Sequence, residues 1–176
     1  MKRLLILIAL LMSSVAWAGS TTVVVGQAAG GGLSCAGTPF AQQSQNSNTN
    51  YGSEDQKVAN SSAITICRID VGISNGGGTS SDFTVSVWSG VDGSGTQYGS
   101  TKSWTEPGGT SAHLHTVEWT SDYPSPTGDF HIYVTQTNDG GSLNGQAGYE
   151  GTSYFVRAGG TDFTDWDMQF AVYKME

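Results

Sequence analysis

The sequence predicts an all-β protein, a sandwich or barrel of short strands. Runs of alternating apolar and polar residues recur along the chain, and turn-forming Gly, Asn, Asp and Ser residues separate them. No stretch keeps the apolar period of about 3.6 residues that an amphipathic helix requires. The 176 residues show no internal repeat, and their number suits one domain with its own core after removal of a leader.

The N-terminal stretch MKRLLILIALLMSSVAWA has the three parts of a secretory signal peptide. Lys2 and Arg3 form the basic start, residues 4–12 form the apolar run, and residues 16–18 are a small-x-small cleavage site. The apolar run is shorter than the roughly 20 residues of a bilayer span. We therefore expect residues 1–18 to be removed and the rest to be secreted, extracellular or periplasmic, without membrane insertion.

Residues 19–34 join a β-prone segment, TTVVV at 21–25, to a glycine-rich tether. One interpretation is a first edge strand followed by a loop. The alternative is a strand that leaves its own domain and pairs with a neighbouring subunit, so that the chain self-associates through residues 21–25. Residues 35–176 would form the folded domain.

Cys35 and Cys67 are the two cysteines of the chain. An even number of cysteines in an oxidising compartment indicates a disulfide. A metal pair or a reactive thiol is the competing interpretation, and the absence of a CxxC motif argues against both. We predict a Cys35–Cys67 bridge.

Six segments have the alternation of strands, and in three of them an apolar face is clear. The six segments are 63–73, 82–88, 112–119, 130–137, 153–158 and 166–174. The clear apolar faces are Phe83, Val85 and Val87; Phe130, Ile132 and Val134; and Trp166, Met168, Phe170 and Val172.

The stretch AHLHTVEW at 112–119 places two histidines on one strand face. Because side chains alternate along a strand, His113 and His115 share their face with Val117 and Trp119. If this strand pairs with 130–137 as a hairpin, His131 joins them on that face. Three histidines with an open fourth position suit a transition metal and a metal-dependent enzyme. The alternative is an ordinary solvated strand face.

From Gln56 onward, the order of features resembles secreted jelly-roll domains that are similar to carbohydrate-binding modules and to choice-of-anchor domains of bacterial surface proteins. The stretches that carry this resemblance are ITICRIDVGIS with SDFTVSVWSG, VEWTSDYPSPTGDFHIYVTQTND, YEGTSYFVRAGG and DMQFAVYK. The resemblance implies a single antiparallel β-sandwich of jelly-roll topology. It also implies a domain that is usually non-enzymatic and that recognises glycans or builds surface structures.

Glycan binding is the function that we predict, with a fibre or matrix subunit and the three-histidine enzyme as alternatives. Sugar rings stack on aromatic side chains, and we expect Trp104, Trp119, Tyr123 and Tyr133 to be the most exposed aromatics. A formal net charge of −8 repels phosphate, which argues against nucleic acid as a partner. A polysaccharide is the expected partner, and we expect no catalytic residues.

The segment TDFTDWD offers carboxylates for a structural calcium ion. The candidate ligands are Asp162, Asp165 and Asp167. Aspartate is also a common turn residue, which explains such positions without an ion.

Overall fold

Strands make up almost all of the regular structure in a computed structural model of the chain, which confirms the all-β prediction. The model describes residues 33–44, 47–51, 53–136, 141–147, 156–158, 161–163 and 166–176. The predicted signal peptide and residues 19–32 lie outside this part, so the cleavage site and strand donation from 21–25 stay predictions. In the described part of the chain, no helix has the length and apolar character needed to cross a bilayer.

The described residues contain thirteen strands and one short 3-10 turn at Val91–Gly93. The strands are β1 (Ala41–Gln43), β2 (Ser47–Tyr51), β3 (Ser53–Val58), β4 (Ile66–Asn75), β5 (Ser81–Trp88), β6 (Gln97–Glu106), β7 (Thr110–Glu118), β8 (Phe130–Gln136), β9 (Gly141–Ala147), β10 (Val156–Ala158), β11 (Thr161–Phe163), β12 (Trp166–Met168) and β13 (Phe170–Lys174).

These strands form two antiparallel sheets, as a β-sandwich requires. The six-stranded sheet has the order β11-β10-β3-β8-β5-β6. The seven-stranded sheet has the order β1-β13-β4-β9-β12, with β2 also paired to β9 and β7 also paired to β4. The sandwich is therefore confirmed, and its jelly-roll connectivity stays a prediction.

The core lies between the two sheets and is built from the apolar faces that the alternation predicts. Among its buried side chains are Phe83, Val85, Val87, Phe130, Ile132, Val134, Met168, Phe170 and Val172. Removing such apolar area from water is the main favourable contribution to folding, at about 25 cal/mol per Å². The side chain of Trp166, predicted on the same face as Met168, lies outside the described part.

Strand β4 departs from simple alternation at Cys67. The pairing of β4 with β13 shifts register so that Tyr173 lies opposite Arg68 and the next residue, Lys174, lies opposite Ile66. Cys67 is the extra residue of this irregularity, a place where a strand redirects its side chains. It forms the predicted disulfide with Cys35, with a Cα–Cα distance of 5.7 Å.

The predicted hairpin between 112–119 and 130–137 is wrong. Strand β7 pairs with β4 in the seven-stranded sheet, whereas β8 pairs with β3 and β5 in the six-stranded sheet. The connecting segment instead runs beside the chain that leads into β4. There the amides of Ile64 and Ile66 donate to the carbonyls of Pro126 and Pro124, at 3.1 and 2.8 Å.

Asp129 ties the start of β8 to the end of β3. Its carboxylate accepts a hydrogen bond from the Asn60 amide at 3.0 Å and lies 2.9 Å from the Lys57 ammonium. The Asn60 amide first, and the Lys57 side chain second, hold the pKa of Asp129 below its ordinary value.

We expect Asp129→Asn to reduce stability at neutral pH and to have no effect in acid. A carboxyl whose pKa is lowered by folding stabilises above its unfolded pKa of about 4, and the contribution is lost as the pH falls through the folded value. Because the Asp129 side chain is 50% exposed, the contribution should be about 1 kcal/mol or less. Urea unfolding of both proteins at pH 7 and pH 2.5 measures this, and an equal difference at both pH values would contradict it.

Candidate functional site

A row of hydroxyl side chains crosses the outer face of the six-stranded sheet. The strand register places Ser53 beside Thr135, Thr135 beside Thr84, and Thr84 beside Ser103. Direct cross-strand partners point to the same side of a sheet, here the side away from the core. The hydroxyls of Thr84 and Thr135 lie 2.7 Å apart. We call these four residues the hydroxyl row.

Two half-buried aromatic rings, Trp88 and Tyr133, stand on the same outer face as the hydroxyl row. The Trp88 Nε1–H donates to the Ser86 hydroxyl at 2.8 Å, which fixes the orientation of the indole. The 3-10 turn packs across both rings, because a Cβ added to Gly93 would lie 3.2 Å from Tyr133 and 3.6 Å from Trp88. The turn therefore helps to hold both rings on this face, where Tyr133 is two residues from Thr135 on β8 and Trp88 pairs across strands with His131.

A buried Asp–His pair anchors that turn to the sheet. Asp55 is fully buried, and its Oδ1 lies 2.5 Å from His131 Nδ1. Its Oδ2 accepts a hydrogen bond from the Asp92 amide at 2.7 Å. Burial, followed by the negative charges of Asp92 and Asp55, raises the pKa of Tyr133, so its hydroxyl keeps its proton at neutral pH.

A second group of polar side chains lies on the inner sides of β6 and β7. Within the described residues, β6 pairs only with β5 and β7 only with β4, so each is an edge strand. The turn Pro107–Gly109 carries the chain from one sheet to the other. Trp104 and Glu106 on β6 meet His113 and His115 on β7, and we call these four residues the edge cluster.

The carboxylate of Glu106 faces both imidazoles of the edge cluster. Its Oε1 lies 3.7 Å from His113 Nε2, and its Oε2 lies 3.9 Å from His115 Nδ1. The carboxylate is nearly buried, at 8% exposure, whereas the His113 and His115 side chains are 37% and 28% exposed. One ligand atom from each residue lies within 4.8 Å of the other two.

The orientation of each imidazole has a visible cause. His113 Nδ1 lies 3.0 Å from the Ser111 carbonyl, which can only accept, so Nδ1 carries a proton. The His115 ring stacks on Trp104, with ring centroids 4.2 Å apart and planes 7° apart. Burial lowers the pKa of His115, the charge of Glu106 opposes that shift, and the neighbouring His113 adds to it.

The structure does not bring the three predicted histidine ligands together. His113 and His115 share a face, as strand alternation predicts, but His131 lies on the outer face of the other sheet with Asp55. The predicted three-histidine site is therefore wrong, because it depended on a β7–β8 hairpin that does not form. Glu106, and not His131, is the third potential metal ligand beside His113 and His115. Glu118 is exposed on the opposite face of β7, as alternation predicts.

The four aromatics predicted to be most exposed have different surroundings. Trp119 is 3% exposed and its Nε1–H donates to the Ser100 carbonyl at 2.9 Å, so its predicted exposure is wrong. Trp104 is half-buried and stacks on both Phe83 and His115. Tyr123 is half-buried against the core, and Tyr133 borders the hydroxyl row.

The structure describes the side chain of only one of the three predicted calcium ligands, Asp167. Asp165 and the side chain of Asp162 lie outside the described part of the chain. Asp167 is buried at 2% exposure, and its Oδ1 accepts a hydrogen bond from Gln56 at 3.0 Å. This bond links the two sheets across the core, which is a structural role.

Sequence reasoning missed Glu106, Trp88 and the four residues of the hydroxyl row. Glu106 was overlooked because Glu118, the nearer glutamate in sequence, follows the HxH pattern directly. The only local signal for Glu106 is the PGGT turn, which separates it from the strand that carries His113 and His115. Trp88 lies in the predicted strand 82–88, but nothing in the sequence shows that it stands near Tyr133.

Comparisons with known proteins add no family to this description. No protein-family model matches the chain, and no curated protein matches its sequence.

Proposed function

We propose that this protein is an exported, non-catalytic domain that binds polysaccharide on the outer face of its six-stranded sheet. The observation that carries the proposal is that Trp88 and Tyr133 lie on the same outer face as the hydroxyl row. Sugar rings offer apolar C–H faces for stacking on aromatic rings, and their hydroxyl groups exchange hydrogen bonds with Ser and Thr. A flat sheet face with both elements suits an extended chain of sugars.

The chemistry of the face favours a neutral polysaccharide over an anionic one. The chain carries a net charge of −8, and Asp82 on this face is exposed. Because Tyr133 keeps its proton, its hydroxyl can donate to a sugar oxygen as well as accept from one. The Cys35–Cys67 disulfide supports export, since such bonds persist in oxidising compartments.

Binding to soluble neutral polysaccharides, such as xylan and glucomannan, tests this function by affinity electrophoresis and calorimetry. We expect Trp88→Ala and Tyr133→Ala each to weaken binding about tenfold, equivalent to about 1.4 kcal/mol. Tyr133→Phe should keep stacking and lose only the hydroxyl contribution. The matched control is Leu114→Ala, a 47% exposed apolar side chain on the other sheet. Equal binding by all four variants, or no binding by the wild type, would refute the proposal.

An assembly role is the second candidate, favoured by the edge of β6 that faces away from β5. This strand has ten residues and no second strand pairs with it within the described residues, although the backbone of Ser100 is hydrogen-bonded to Asp122 and Trp119. Such an edge is a template for an added strand, and residues 21–25 have the composition to supply it. Deleting residues 19–32 should then abolish self-association of the mature chain. A monomeric full mature chain at high concentration would exclude this role.

A further inference from the structure

The edge cluster places two imidazole nitrogens against one carboxylate without a hydrogen bond between them. The separations of 3.7 and 3.9 Å from Glu106 to His113 and His115 exceed the usual 2.7 to 3.2 Å. A nearly buried carboxylate normally needs a partner that offsets its lost hydration. A cation between these three groups would supply that partner.

The hydrogen bond of His113 prepares it to be a ligand. Its Nδ1–H donates to the Ser111 carbonyl, so in the neutral ring Nε2 carries the lone pair. That lone pair faces the Glu106 carboxylate, which is also an electron-pair donor. Metal-binding histidines commonly donate the second ring N–H to a backbone carbonyl in this way.

A different contact orients His115. Its ring stacks on Trp104, which leaves Nδ1 directed towards Glu106 Oε2. The edge cluster therefore presents two nitrogen donors and a carboxylate from two strands.

We propose that Glu106, His113 and His115 bind one divalent transition metal ion, with zinc as the reference ion. Zinc–nitrogen and zinc–oxygen bonds of about 2.0 to 2.2 Å allow two ligands to lie at most about 4.4 Å apart. The 3.7 and 3.9 Å separations from Glu106 satisfy that limit, and one ligand atom from each of the three residues lies within 4.8 Å of the others. Small rotations of the partly exposed histidines would bring all three ligand atoms into one coordination sphere.

The types of the three ligand atoms favour one class of metal ion. Two imidazoles with one carboxylate suit zinc, copper or nickel, whereas calcium and magnesium prefer oxygen ligands alone. Three protein ligands leave at least one position for water or another small ligand. The partly exposed His113 and His115 lie on the solvent side of the nearly buried Glu106, so the ion can enter past them.

A bound ion would also join the two sheets at their open edge. Glu106 ends β6 of the six-stranded sheet, and both histidines belong to β7 of the seven-stranded sheet. Metal binding should therefore raise the thermal stability of the whole domain, because the ion binds the folded state and not the separated strands.

Calorimetric titration of the metal-free mature chain with zinc tests the site, and cobalt supplies an absorption spectrum of the coordination geometry. We expect one ion per chain and a rise in melting temperature with zinc. Loss of a group that hydrogen-bonds to a metal ligand typically weakens metal affinity about 10- to 100-fold. Loss of a direct ligand in His113→Ala or Glu106→Gln should therefore weaken zinc binding at least about 100-fold.

Two further variants keep the test independent of folding. His115→Phe retains a ring to stack on Trp104 but has no nitrogen, so it should fold and lose the ion. Glu118→Gln changes a carboxylate on the opposite face of the same strand and should bind zinc like the wild type. The proposal is overturned if the wild type binds no zinc or cobalt at millimolar concentration. It is also overturned if folded His115→Phe and His113→Ala bind one ion with wild-type affinity.

Discussion

Replacing both cysteines, as Cys35→Ala with Cys67→Ala, should lower the free energy of unfolding by about 3 to 4 kcal/mol. The disulfide closes a loop with a sequence separation of 32, and in the chain-entropy model that loop restricts the unfolded chain by this amount. Equilibrium unfolding in urea under oxidising conditions measures the difference between the variant and the wild type.

The folded state of this variant should persist, because hydrogen bonds also hold the segment around Cys35. Ser34 and Glu176 exchange two backbone hydrogen bonds, each 2.9 Å long, and the Ala36 amide donates to the Lys174 carbonyl. Wild-type protein treated with a reducing agent is the matched control and should unfold at the same urea concentration as the variant. If reduced and oxidised wild type unfold together, the disulfide contributes nothing and the prediction is wrong.

Gly99→Ala should be comparably destabilising, by about 3 kcal/mol, although it adds a single methyl group. Gly99 has a φ of +65°, and an added Cβ would lie 2.5 Å from the Asp122 carbonyl oxygen and 2.7 Å from the Pro124 nitrogen. The left-handed conformation alone costs about 1 to 2 kcal/mol for alanine, and overpacking against backbone adds about 1 to 3 kcal/mol. Thermal and urea unfolding measure the loss.

Gly109→Ala separates the two contributions. Gly109 has a φ of +79°, but no atom lies within 4 Å of its added Cβ. This variant should therefore lose only the conformational part, about 1 to 2 kcal/mol. Equal losses at Gly99 and Gly109 would show that β6 and the segment after β7 do not approach as closely as described.

The proposed glycan surface and the proposed metal site can be separated experimentally, because they lie on opposite sides of the six-stranded sheet. Tyr133 and the hydroxyl row are on the outer face, whereas Glu106 lies on the inner side of β6. If both proposals hold, Tyr133→Ala should bind zinc normally, and His113→Ala should bind polysaccharide normally. A change in both properties from one substitution would indicate a general loss of structure.

Much of the fold could be predicted from local patterns. The apolar faces around Phe83, Phe130 and Phe170 are buried as the alternation indicates, and Cys35 and Cys67 form the expected bridge. Simple alternation does not hold along β4, because its pairing with β13 shifts register at Cys67. A strand irregularity of this kind depends on the partner strand, which a local pattern does not contain.

In the candidate sites too, local patterns predicted some features and long-range strand pairing decided others. His113 and His115 share a face because alternation is a property of the strand backbone, and the sequence determined that much. The choice of Glu106 over His131 as their neighbour was decided by tertiary structure, since β7 pairs with β4 and not with β8. Short turns near Pro124 permit a hairpin, but β7 pairs with β4 instead, and Val117 and Trp119 are buried in the core. Sequence thus determined six strand segments, three of their apolar faces and the disulfide, whereas long-range strand pairing decided which polar side chains meet.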